Sequence, residues 1–330
     1  MPDLEYCCNT NLSYSYYKAI NMDTKYKICA VVVTFNRKEL LINCLNAINQ
    51  QTYKPHMVLI VDNASTDGTK DFVAENEYYN IEKNGINYEY LLLPNNQGGA
   101  GGFYNGMKAA YESKEHFDAV WVMDDDGCPN ENCLRELQKH LNQSSFISPL
   151  VCDIDNPSNM SFETLEVTNV EKVRALYPSG IIENHANPFN GILFKRNLLS
   201  KIGFPKKEMF IWGDEHEYQT RAIYYGFTPI TVLDAIHFHP KDRLVIYNDV
   251  FRRKTIIFVP SRLRCYCKYR NTTYVLWKYT RIHHFIYYVT VYILFFLFQR
   301  RFDISNLYIF LKAVKDGICN NFTGHLKYLN

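Results

Sequence analysis

The apolar positions of the chain follow two periods. Ile28–Thr34 (Ile-Cys-Ala-Val-Val-Val-Thr) is a continuous apolar run, and Met57–Val61, Tyr88–Leu93 and Ala119–Met123 are runs of similar length. Short runs rich in Val and Ile and bounded by turn residues predict buried strands. Between the first two, Leu40, Leu41, Cys44, Leu45 and Ile48 recur at helical spacing, predicting a helix over Lys38–Gln51. Further helices are expected from Lys70, capped by the turn-rich segment 62–69, and through Met107–Tyr111, after a glycine run at 98–102. This alternation predicts an α/β fold: a mostly parallel, doubly wound central sheet flanked by helices. Glu131–His140 reads as a helix, and Phe146–Val151, Asn190–Phe194 and Thr228–Val232 as short strands, while 152–185 reads as loop. Residues 1–26 lack periodicity and read as a disordered extension, with Met22 a candidate start. The pattern divides the rest into an α/β domain over 27–245 and a helical region over 246–330.

The strand ends carry the candidate chemistry. The fourth run closes on Asp124-Asp125-Asp126-Gly127. Like charges at contact distance raise one another's pKa, and a divalent cation among them removes that conflict. Oxygen ligands suit Mg²⁺ or Mn²⁺, and ligands bind at the carboxyl ends of strands in open α/β sheets. The triplet is therefore either a metal–nucleotide site or a solvated acidic turn. The glycine run is either a backbone approach to an anionic ligand or a tight turn. A second acidic cluster, Asp214-Glu215-His216-Glu217, opens a helix expected through Arg221. It is a general base at a helix start or a set of charges favourable to the helix dipole. His237 and His239 alternate in an apolar stretch, where one is expected as a metal ligand or both as core residues.

Charge changes the picture of the last third. The net charge is only +2, yet from Val250 to Phe302 there are eleven Lys or Arg and no Asp or Glu. Such a block points to an anionic partner. Phe285–Phe298 is almost wholly aromatic and aliphatic. As a helix it would span about 21 Å, short of a ~30 Å hydrocarbon core. It is expected to lie in a membrane interface or to pack in a bundle, and the flanking bases favour the interface. The ten cysteines show no paired zinc spacing, and no secretory leader opens the sequence, so reduced thiols in the cytoplasm are expected.

Taken together, the motifs resemble the inverting family 2 glycosyltransferases of the GT-A fold, over roughly Ile28 to His239. Val-Val-Thr-Phe-Asn-Arg (32–37), Val-Asp-Asn-Ala-Ser-Thr-Asp (61–67), Met-Asp-Asp-Asp (123–126) and Trp-Gly-Asp-Glu-His-Glu-Tyr (212–218) stand in the family's order. The stretch Asn-Asn-Gln-Gly-Gly-Ala-Gly-Gly-Phe (95–103) is similar to the loop of the bacterial galactofuranosyltransferase and rhamnosyltransferase branch, as are Lys-Tyr-Arg-Asn (268–271) and Lys-Asp-Gly (315–317). The resemblance implies a nucleotide-diphospho-sugar transferase fold with a C-terminal helical, membrane-associating region.

It also implies roles. Thr34, Asn36, Arg37, Asp62 and Asn63 would hold the nucleoside end, and Gly98 and Gly99 would let the donor approach backbone. Asp124 and Asp125 would lie along the nucleotide. Asp124, Asp126 and His239, with His237 as substitute, would hold Mn²⁺ or Mg²⁺. Glu215 would be the general base, with Asp214 as the other catalytic carboxylate. The implied donor is UDP-galactofuranose first and dTDP-rhamnose second. The implied acceptor is lipid-linked or a glycan in bacterial surface polysaccharide synthesis, reached at the inner leaflet by peripheral association. No nucleic-acid partner is implied. Two rivals use the same acids differently: a nucleotidyltransferase, and a non-catalytic nucleotide-sugar sensor.

Overall fold

The computed structural model describes residues 25–164, 167–241 and 245–329. Apart from residues 25 and 26, the N-terminal extension and the candidate start Met22 lie outside the described residues. The first half alternates as its periodicity requires: β1 (Ile28–Thr34), α1 (Lys38–Asn49), β2 (Met57–Asp62), α2 (Thr69–Glu75), β3 (Ile81–Lys83), β4 (Ile86–Leu92), α3 (Gly98–Glu112) and β5 (Ala119–Asp124). β1 is buried along its whole length because both sheet faces are covered. Ala30 and Val32 face the cluster with Leu41, Leu45 and Ile48 of α1. Cys29, Val31 and Val33 face the opposite cluster with Phe103 and Met107 of α3. The glycine run differs from expectation: it is not a loop before a helix but the opening turns of α3 itself. Side chains at Gly102 and Gly106 would fall 2.4 and 2.5 Å from Val33 and Val31. Their absence lets α3 lie directly on β1.

The middle of the chain is more structured than its loop-like composition suggests. After β6 (Cys128–Pro129), α4 (Cys133–Gln138) and β7 (Phe146–Asp153), the segment expected as loop forms β8 (Asn159–Thr164), β9 (Val167–Asn169), α5 (Val170–Leu176) and β10 (Ile181–Glu183). These are short, edge-lying elements with polar faces, so they lack the apolar runs that mark central strands. Then come β11 (Asn190–Lys195), α6 (Arg196–Ile202), α7 (Asp214–Tyr224) and β12 (Ile230–His239). β12 is twice the expected length and carries both histidines within it.

The sheet runs in the order β10-β12-β7-β11-β5-β1-β2-β4-β3. β4, β2, β1 and β5 are parallel, as the alternation predicts. β11 is antiparallel to both β5 and β7, and β7 is parallel to β12. Two reversals restore the direction of β5, so the sheet is mixed and β12 ends on the same edge as β1, β2 and β5. This topology carries His239 to the acidic triplet from more than 100 residues away.

The C-terminal region packs as helices beside this edge. A hairpin, β13 (Val245–Asn248) and β14 (Lys254–Phe258), precedes α8 (Arg262–Tyr279), α9 (Ile282–Leu294, continued through a wide turn to Gln299) and α10 (Ile304–Ile318). The stretch expected to be a helix over Phe285–Phe298 is therefore longer at both ends. One face of it is buried: Tyr292 stacks on Phe310 of α10 at 5.0 Å and meets Tyr269 of α8 at 5.1 Å. Ile282, Ile286 and Phe298 remain exposed. The helix thus both packs in a bundle and keeps an apolar outer face.

Candidate active site

The acidic triplet sits where β5 leaves the sheet, and its members part company at once. Asp125 points inward and is buried; its Oδ2 accepts from the Thr34 hydroxyl at 2.7 Å. Arg37, just past the end of β1, donates to Asp125 Oδ1 at 3.2 Å and to Asp126 Oδ2 at 2.7 Å. The other oxygen of Asp126 faces His239 Nε2 at 3.3 Å and is buried without a hydrogen-bond partner. A continuous polar line thus runs from β1 to β12: Thr34, Asp125, Arg37, Asp126, His239.

The charges of this line are unequal, and the geometry says why. Burial, then the neighbouring Asp126 and Asp125, push Asp124 up to about 8. Burial pushes Asp125 up to about 6 against the pull of Arg37 and Thr34. Burial also opposes ionisation of Asp126, but His239 and Arg37 outweigh it and hold that carboxyl below its usual range. His239 is burdened by burial yet raised by Asp126 and Asp124. Asp126 is accordingly the carboxylate whose charge its neighbours favour, and Asp124 the one whose charge burial and the adjacent acids oppose. Among the described residues no three His, Cys, Asp or Glu side chains already stand together in ligand geometry.

His237 does not share this setting. Its ring is fully buried, and side chains at Gly127 and Gly191 would fall 2.2 and 2.6 Å from it. Both ring nitrogens lack partners, and burial pushes the imidazole down to about 3. It is a neutral packing residue beneath the turn that carries the acids.

The second acidic cluster comes to the same place. Asp214 opens α7, is only 4% exposed, and has a carboxyl pushed well above its ordinary range by burial, then by its hydrogen-bonded neighbour Glu215 and, more weakly, by Asp124. Glu215 is half-buried, and its Oε2 accepts from the Gly213 N–H at 2.9 Å. Glu217 belongs to the scaffold: it pairs with Arg221 at 2.9 Å and accepts from Tyr279 of α8 at 2.9 Å.

The residues expected at the nucleoside end also gather, with duties of their own. Asn36 holds a left-handed turn (φ 55°), its Oδ1 accepting from Thr66 N–H at 2.7 Å. Asp62 is 1% exposed, with one oxygen taken by Ser65 N–H at 2.7 Å and the other by the Tyr90 hydroxyl. Asn63 ties the end of β2 to α3, donating to the Gly98 carbonyl at 2.9 Å and accepting from Gln97 N–H at 2.9 Å. Tyr90 was not singled out from sequence. Its link to Asp62 depends on the β2–β4 pairing, which no local pattern announces.

Gly98 and Gly99 differ. Gly99 faces open space, whereas a side chain at Gly98 (φ 70°) would fall 2.0 Å from the Phe210 carbonyl oxygen. That carbonyl accepts from Ala100 N–H at 3.1 Å and ties the start of α3 to the loop before α7. Gly98→Ala should therefore cost about 3 kcal/mol, from backbone strain plus overpacking. Urea unfolding of the two proteins measures it, and Gly99→Ala, with no such contact, should cost far less.

Comparison with known proteins identifies the family. The profile of glycosyl transferase family 2 matches residues 29–202. Galactofuranosyltransferase GlfT1 of Mycobacterium tuberculosis is 34% identical over 256 residues, covering 76% of this chain and 82% of that protein. Its counterpart in Mycolicibacterium smegmatis is 29% identical over 259 residues with the same coverage. Among solved structures, Staphylococcus aureus TarS 1–349 in complex with UDP-GlcNAc aligns with a TM-score of 0.53 at 16% identity, over 88% of this chain and 80% of that one, a likeness of fold. The nucleotidyltransferase and sensor alternatives are left without support. The fold, with its mixed sheet and the helices on both faces, is thus that of a GT-A glycosyltransferase, and the chain belongs to glycosyl transferase family 2.

Proposed function

We propose that the chain transfers galactofuranose from UDP-galactofuranose, with inversion, to a lipid-linked or glycan acceptor in bacterial surface polysaccharide synthesis. The observation that carries the reaction type is the meeting of two acidic groups at one sheet edge: the Asp124–Asp126 triplet with His239, and the Asp214–Glu215 pair. The likeness to the mycobacterial galactofuranosyltransferases supports the choice of sugar. dTDP-rhamnose is the second candidate.

The residues fit a divalent cation. Asp126 offers a buried oxygen without a hydrogen bond, His239 faces it, and burial together with the neighbouring carboxylates pushes Asp124 up, a conflict that a cation would relieve. These three would hold Mn²⁺ or Mg²⁺. When bound, the ion supplies charge to the diphosphate as it leaves. Arg37 supplies a fixed positive charge on the same side, its pKa held up by the three carboxylates against burial. Thr34 and Asn36 would line the nucleoside. Asp62 and Asn63, whose polar atoms are engaged, would frame it by holding the turn at 63–66. Glu215, the more accessible of the acidic pair, would take the proton of the attacking hydroxyl. Direct displacement needs no covalent protein nucleophile.

Membrane association accounts for the remaining surface. Among the described residues one helix, Ile282–Gln299, is long and apolar enough to cross a membrane by length and composition, with mean hydropathy 1.5. Its buried face serves the bundle. Its exposed Ile282, Ile286 and Phe298, with Phe302 and the basic residues around them, suit the interface of an anionic inner leaflet.

The full chain incubated with Mn²⁺ and a panel of sugar nucleotides should release UDP fastest from UDP-galactofuranose, and EDTA should abolish the release. Preference for dTDP-rhamnose would move the assignment to the second donor. Turnover insensitive to chelation would remove the cation from the proposal.

A further inference from the structure

We infer that Asn271, on the C-terminal helix α8, is a positioning residue that sets the orientation of the Glu215 carboxylate through a single peptide plane. The inference rests on the reading of Glu215 as the base.

The starting point is a mismatch between α8 and its contents. The helix lies in the basic, aromatic third of the chain, yet Arg270 and Asn271 are both wholly buried. Buried polar groups require partners. For these two the partners lie mostly in one loop, Met209–Trp212, just before the acidic pair. Arg270 Nη2 donates to the Met209 carbonyl at 2.7 Å. The Asn271 amide nitrogen donates to the carbonyls of Met209 (3.1 Å), Ile211 (3.2 Å) and Trp212 (2.7 Å). Arg270 Nε in turn donates to Asn271 Oδ1 at 2.9 Å, which fixes the way the amide faces.

The loop would not hold its shape unaided. Phe210 and Trp212 have φ of 67° and 59°, a region that bulky residues rarely enter, and Gly213 follows at 98°. The two aromatic residues are strained there, and such strain persists only where surroundings over-determine it. Asn271 is that surrounding. Its Cβ lies where a side chain on Gly213 would fall, 2.9 Å away.

The Trp212 carbonyl and the Gly213 N–H are opposite ends of one peptide unit. Peptide units are planar. When Asn271 fixes the carbonyl at 2.7 Å, the N–H is fixed with it, and that N–H donates to Glu215 Oε2 at 2.9 Å. A side chain in the C-terminal region therefore aims a carboxylate in the α/β domain without touching the substrate. The same loop binds α3 through the Phe210 carbonyl, so the base and the glycine end of α3 share one support.

A double-mutant cycle tests this. Asn271→Ala in the full chain should lower kcat about 10- to 100-fold, the scale expected for misplacing a reacting group, with the KM for the sugar nucleotide little changed. In a Glu215→Gln background the same substitution should lower the residual kcat less than 2-fold, because its target is already gone. An equal loss in both backgrounds, or a rise in KM without loss of kcat, would mean that Asn271 serves only stability and would overturn the inference. If Glu215→Gln itself retains full turnover, the base assignment fails first, and that outcome is read before the cycle is completed. Should Asn271→Ala not accumulate as folded protein, Asn271→Ser, which keeps one donor, carries the same cycle with a smaller expected loss.

Discussion

Asp126→Ala is expected to lower kcat/KM for sugar transfer by about 10³-fold while leaving the protein folded. A loss of this size is what removing one fixed electrostatic element from a charge-developing site produces. The position explains why Asp126 should be the most sensitive of the triplet. It is the carboxylate held below its usual range, and it joins Arg37 on one side to His239 on the other. Removing it breaks the line from β1 to β12 and takes away the buried oxygen that has no other partner. Folding should suffer little, because Asp124 and Asp125 lose a like charge and Arg37 keeps Asp125. A second readout separates the cation from the chemistry. Mn²⁺ should raise the melting temperature of the parent protein, since a ligand that binds only the folded state stabilises it. It should leave that of the variant unchanged. An Asp126→Ala protein that turns over normally would sink the site assignment.

Glu215→Gln is expected to reduce kcat by about 10²- to 10⁴-fold, the range for a lost general base. UDP affinity, measured by calorimetry, should stay within about twofold, since nothing at the nucleoside end changes. The substitution is a clean one here. A glutamine carbonyl can still accept from Gly213 N–H, so the side chain keeps its orientation and loses only its capacity to take a proton. The neighbour provides the control. Asp214 is the more deeply buried of the pair, and burial and then Glu215 push its carboxyl well above the ordinary range. Full activity in Glu215→Gln with loss in Asp214→Asn would exchange the two roles.

Much of the fold could be read along the chain because buried parallel strands announce themselves. β1 and β5 were readable to within a residue, since a strand covered on both faces must be apolar throughout. The segment over 152–185 could not be read that way. Its strands lie at sheet edges, pair for few residues, and carry polar side chains such as Asn159, Ser161 and Thr168. β12 was seen only in its first residues, because Asp234 and the two histidines interrupt the apolar pattern of a strand that nonetheless pairs with β7 to its end.

The candidate site divides in the same way. The candidate chemistry is legible along the chain: carboxylates that follow apolar runs emerge at strand ends, so Asp62 and Asp124–Asp126 are bound to reach a rim. What each of them does there depends on packing between distant segments. Register and strand direction brought His239 to Asp126 and left the neighbouring His237 sealed between two glycines. The pairing of β2 with β4 set Tyr90 against Asp62, and the packing of α8 under the Met209–Gly213 loop set Asn271 against the peptide that holds Glu215. Local pattern records whether a residue is buried. Charge state and aim depend on neighbours distant in sequence, and those are fixed only when the sheet closes and the C-terminal helices pack beside it.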